Sequence, residues 1–107
     1  MSDSALGDGG APQPQDGSLR RVLEIVNKKG LHARASAKFC QTAERFDAQI
    51  RVTRGHESVG GTSIMGLMML AAGPGTTVVV SAKGAEAEQA LDAIAELVAS
   101  KFNEEGT

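Results

Sequence analysis

Turn-forming residues divide this chain into a series of strand- and helix-length segments. Lys28-Lys29-Gly30, Gly55, Gly60-Gly61, Gly73-Pro74-Gly75 and Lys83-Gly84 interrupt the apolar pattern at close intervals. Glycine tolerates positive φ and proline removes a backbone donor, so such clusters end regular structure. Between the breaks the apolar period itself switches. Leu19 to Val26 reads as a strand, with Val22 and Ile25 among its apolar positions and charges between them. From Ala33 to about Arg45 the spacing is helical, with Ala33, Ala37, Cys40 and Ala43 recurring on a face that Phe39 widens. Ile50 and Val52 alternate with Gln49 and Arg51 in a second strand, and Glu57 to Gly60 is a short third. Ser63 opens a short helix to about Ala71, with Ile64, Leu67, Met68 and Ala71 in register, which Gly73-Pro74-Gly75 stops. The β-branched run from Thr76 to Ala82 is a fourth strand. Ala87, Leu91, Ile94, Val98 and Phe102 mark one face of a last helix.

The order βαββαβα predicts an α+β fold, an open-faced sandwich. A four-stranded antiparallel sheet would be covered on one face by three helices, since each helix has a single apolar face to bury.

The first eighteen residues, MSDSALGDGGAPQPQDGS, carry two of the three prolines and only Leu6 as a large aliphatic after Met1. So little apolar surface cannot offset the entropy of ordering a chain. Residues 1–18 are therefore expected to be a disordered tail, 19–104 a single domain and 105–107 its C-terminal end. The tail has neither the basic start nor the apolar run of a signal peptide. Net charge is −2, with no Trp, no Tyr and three Phe, which argues against a nucleic-acid binder. No stretch approaches the roughly 18 apolar residues of a membrane span. The single Cys40 lacks a CxxC partner, which fits a reducing cytoplasm. There is no P-loop, zinc-ligand set or catalytic triad, so neither metal nor cofactor is expected.

His32 stands where a strand gives way to a helix. The first turn of a helix leaves backbone N–H groups unpaired at the positive end of the dipole, a natural cradle for phosphate. Imidazole, with a reference pKa near 6.5, is largely neutral and nucleophilic at neutral pH. Arg34 can pair with phosphoryl oxygens through its planar fork, and Gly30 permits the close chain approach of a crowded donor–acceptor complex. From position alone, however, a histidine before a helix is more often a solvated loop residue or an ordinary cap. His56, in the Gly55-His56-Glu57 turn, reads as solvated. Ser63 at a helix start is first of all an N-cap. Met65, Met68 and Met69 outnumber what a short helix can bury.

Gly30-Leu31-His32-Ala33-Arg34, followed by Lys38-Phe39, resembles the active-site signature G-L-H-[AT]-R-P-A of the HPr family. Ser63-Ile64-Met65-Gly66-Leu67-Met68 resembles the family's second signature, at a matching interval. The likeness spans about Leu19 to Glu104. It implies a cytoplasmic phosphocarrier of the phosphotransferase system, a substrate of phosphotransferases rather than an enzyme. His32 would accept a phosphoryl group from phosphorylated Enzyme I through Nδ1, Arg34 would stabilise it, and EIIA-type proteins would receive it. Ser63 matches a regulatory site for an HPr kinase/phosphorylase. Ala33, Lys38, Ile64, Met65 and Met68 match the family's docking patch, and a monomer is expected. The sugar-uptake and nitrogen-related branches both fit. The chain departs from the family at Ala35, where a proline is usual; alanine restores an N–H and loosens the backbone. A small regulatory ligand- or protein-binding module of the same fold, without phosphotransfer, is the competing reading, and it leaves the GLHAR segment without a purpose.

Overall fold

A computed structural model describes residues 17–104. The tail expected over 1–18 falls outside them but for Gly17 and Ser18, and the 105–107 end lies outside them altogether. Along the chain come β1 (Leu19–Glu24), α1 (Ala33–Glu44), β2 (Gln49–Arg54), β3 (Glu57–Gly60), α2 (Ile64–Met69), β4 (Thr77–Lys83) and α3 (Ala87–Ala99), with a short turn of helix at Lys101–Asn103. The strands form one sheet in the order β1-β4-β2-β3, every pair antiparallel. This is the expected open-faced sandwich of four strands and three helices.

The β-branched run sits inside the sheet, where its fit to a pleated, buried surface counts most. Val22 pairs with Val79 and Leu23 with Val78 on one side, and Val52 with Val80 on the other. Alternate residues Val78, Val80 and Ala82 point inward with Ile50 and Val52, forming one core with Phe39, Cys40, Leu67, Leu91, Ile94 and Val98 from the helices. Burial of each large aliphatic side chain is worth about 1.5–3 kcal/mol.

Four details depart from the expected pattern. β1 stops at Glu24, and Val22 is exposed while Leu23 packs against the core. Ile25 is buried just beyond the strand, tied by its N–H to Thr76 O at 2.8 Å. Residues three apart cannot share one face of a strand. The buried face of α1 is Ala35, Ser36, Phe39, Cys40 and Ala43, and Ala33 is exposed. The large Phe39 ring sets that orientation, against which alanines are weak markers. In α2 only Leu67 is buried, with Leu70 just after it, because six residues over a sheet edge need only one anchor. Finally, Phe102 does not lie on the face of α3. The chain turns through Lys101, Phe102 and Asn103 at φ 59°, 58° and 56° and drives the Phe102 ring fully into the core. Left-handed backbone costs about 1–2 kcal/mol per residue, and burial of the ring works against that cost.

Candidate functional site

The segment from Asn27 to His32 is shaped by backbone ties made with buried partners. The Asn27 side chain is inaccessible and donates through Nδ2 to Gly30 O at 2.9 Å. Gly30, at φ +63°, donates its own N–H to Asn27 O at 3.3 Å. Leu31 is buried, and its N–H donates to Ala72 O at 3.0 Å, joining this segment to the loop after α2. Gly30 was expected to admit a partner's chain; the close approach it permits is internal. A Cβ at residue 30 would lie 2.3 Å from Ala72 O.

These ties deliver His32 as the N-cap of α1, in extended conformation. Its Nδ1 accepts the Arg34 N–H at 3.2 Å, so the ring itself satisfies one of the orphan donors of the first turn. Helix propagation begins with the Ser36 N–H on His32 O at 2.8 Å. Ala35, in the place of the family proline, is fully buried, and Ser36 Oγ donates to Leu31 O at 3.1 Å. The hydroxyl supplies a tie where proline would have supplied rigidity.

The other ring nitrogen brings in a residue that sequence reasoning missed. Nε2 lies 3.1 Å from Glu104 Oε1, with the His32 side chain 27% exposed and that of Glu104 8% exposed. A backbone N–H can only donate, so Nδ1 is the lone-pair nitrogen; in the neutral ring Nε2 then carries the proton and donates to the carboxylate. The hydrogen bond from His32 holds the Glu104 carboxyl below the usual carboxylate range. Burial opposes this, while the charges of His32, Lys38 and Arg34 add to it. A carboxyl whose pKa falls on folding contributes stability that is complete above its unfolded value and lost as pH drops through the lowered one. The Glu104 side-chain carbon signal should therefore titrate at lower pH than that of glutamate in an unstructured peptide. Coincident midpoints in an NMR titration would refute the contact.

Arg34 and Ala33 are exposed beside the ring, and Lys38 is half-buried, its Nζ donating to Phe102 O at 2.6 Å. A shallow depression of ≈190 Å³ next to the imidazole is lined by Lys29, Leu31, His32, Ala71, Ala72 and Gly73. Ser63 caps α2 by accepting the Gly66 N–H at 3.0 Å, and its hydroxyl is exposed. Behind it, Ile64, Met65, Met68 and Met69 are exposed, Met65 and Met69 to 69% and 73%. α1 packs directly against α2. His56 is exposed in its turn, and Cys40 is buried, its thiol pushed up by burial and by Glu44. Among the described residues no three His, Cys, Asp or Glu side chains gather as metal ligands. No helix among them is long and apolar enough to cross a membrane.

Residues 19–100 match the family model described as the PTS HPr component phosphorylation site. Among curated proteins, phosphocarrier protein HPr of Neisseria meningitidis is 48% identical over 86 residues, covering 80% of this chain and 97% of that protein. Phosphocarrier protein NPr of Shewanella violacea is 45% identical over 86 residues, covering 80% and 94%. The crystal structure of HPr from Thermoanaerobacter tengcongensis superimposes with a TM-score of 0.78 at 45% identity, covering 81% of this chain and 98% of that one.

Proposed function

The chain belongs to the HPr family of phosphocarriers, and on that premise we propose that its transferable phosphoryl group is carried on Nδ1 of His32. It serves the phosphotransferase system as a carrier, not as a catalyst. The observation that favours His32 is the opposed bonding of its ring: Nδ1 presents a lone pair at the start of α1 while Nε2 is engaged by a carboxylate. As Nδ1 bonds to phosphorus, the bond from phosphorus to the donor breaks and its electron pair leaves with the donor. Positive charge then develops on the imidazole, opposite the Glu104 carboxylate. The Arg34 N–H, which Nδ1 holds in the resting state, becomes available to a phosphoryl oxygen, and the Arg34 guanidinium adds a planar donor fork.

The donor in this reading is phosphorylated Enzyme I and the acceptors are EIIA-type proteins, of the sugar or nitrogen-related branch, in the cytoplasm. Ala33, Lys38, Ile64, Met65 and Met68 form the docking surface. Thioethers adapt to more than one partner, and a cationic rim speeds encounters with acidic ones. Ser63 is the regulatory site: its exposed hydroxyl already points along the start of α2, and a phosphate there would set negative charge beside the docking surface.

Two incubations test these assignments. Phosphoenolpyruvate with Enzyme I should yield a phosphorus NMR signal of a phosphohistidine mapped to His32. ATP with HPr kinase/phosphorylase should instead label Ser63 and leave a Ser63→Ala protein unlabelled. Label on any other residue would sink the corresponding assignment.

A further inference from the structure

Glu104 reaches His32 by an indirect route. After α3 the chain makes a left-handed turn through three residues that all bear side chains, Lys101, Phe102 and Asn103. Of these only Asn103 belongs to the residue types that enter this region readily. Two contacts hold the turn against its own preference. The Phe102 ring is inaccessible to solvent, and the Lys38 ammonium donates to the Phe102 carbonyl at 2.6 Å in a part-buried setting. Bonds from an ionised donor in such surroundings are short and strong. Two residues beyond Phe102, Glu104 Oε1 meets Nε2 of His32. One helix, α1, thus carries both ends of a bracket: His32 at its cap and Lys38 in its body, with the C-terminal turn spanning the two.

We propose that Lys38 is a positioning residue for the phosphoryl acceptor, fixing the turn at 101–103 so that Glu104 stays on Nε2 of His32 and Nδ1 keeps its lone pair. This rests on His32 being the acceptor and adds a role for Lys38 inside the chain, distinct from contact with a partner. Without the carboxylate, the longer 3.2 Å bond from the Arg34 N–H is left alone to hold Nδ1 as the lone-pair nitrogen. The charge of Lys38 also adds to the lowering of the Glu104 carboxyl, after the hydrogen bond from His32. An ammonium kept solely for docking would have no need of a backbone carbonyl at the far end of the chain.

The test uses the full chain with Lys38→Met, which keeps the length of the stem but no donor, and Lys38→Arg, which restores one. The Nε2–H of His32, sheltered by Glu104, should give a slowly exchanging downfield proton signal in the wild type and in Lys38→Arg. Lys38→Met should lose it while melting cooperatively. In transfer from Enzyme I, Lys38→Met should lower kcat about tenfold with little change in KM, the scale of one lost bond to a charged group. Glu104→Gln should do the same, and the double variant should be no slower than Glu104→Gln alone. Persistence of the signal in Lys38→Met, multiplying losses in the double variant, or an effect on KM alone would overturn the proposal. The proton signal needs no phosphate donor, so a wild type that fails to take up phosphate on His32 would sink the acceptor assignment without moving this result.

Discussion

Replacement of His32 by glutamine is expected to reduce phosphate uptake from Enzyme I by at least about 10³-fold, the scale on which removal of a lone nucleophile acts. Glutamine keeps a side-chain amide able to donate to the Glu104 carboxylate in place of Nε2. Stability should therefore change by no more than about 1 kcal/mol, the usual range for exchange at a helix cap. Intact mass after incubation with phosphoenolpyruvate and Enzyme I gives the uptake, and thermal unfolding gives the stability. Uptake at the wild-type level would move the acceptor elsewhere, His56 being the other histidine in the chain.

The second large effect belongs to Gly30. Its φ of +63° costs any other residue about 1–2 kcal/mol, and an added Cβ would stand 2.3 Å from Ala72 O and 2.8 Å from Gly73 Cα. Both neighbours are backbone, so relief requires moving a chain segment rather than turning a side chain, at a further cost of about 1–3 kcal/mol. Gly30→Ala should thus lose about 3 kcal/mol, or about 12–24 °C in Tm for a domain of this size. It should also lower transfer, because the Leu31 N–H bond to Ala72 O that steadies the histidine loop would open. Gly55→Ala is the matched control. Its φ is +62° with nothing within 4 Å of the added Cβ, so only the conformational cost of about 1–2 kcal/mol remains. Equal losses at the two positions would show that the packing against Ala72 contributes nothing.

Much of the fold was legible because its signals are local. The switch between periods of two and 3.6, and the glycine clusters between them, placed all seven main elements and their order. What failed were readings of face. Val22 and Ile25 stand three residues apart and so face opposite ways, and the alanines of α1 do not outweigh Phe39 in choosing which side is buried. At the site, His32, Arg34 and Ser63 stood out through motif and helix-start chemistry. Glu104 did not, since a glutamate after a helical run reads as a solvated charge. Only the left-handed turn, which nothing in Lys101-Phe102-Asn103 announces, brings it back to a residue 72 positions earlier. The same blindness hid the carbonyl that Lys38 holds.

The position of β4 between β1 and β2 governs when this protein comes into being on the ribosome. Among the described residues β1 pairs with β4 alone, so the first of these strands waits for the last. Until Thr77–Lys83 has emerged, the β2–β3 hairpin also carries an open edge, a hazard for pairing with other chains. The histidine loop waits as well: Leu31 hangs on Ala72, and Ile25 on Thr76. Pairings this distant in sequence form late and slowly compared with local turns. A nascent or truncated chain therefore displays the GLHAR segment without the geometry around it, and only the finished domain enters the phosphate relay.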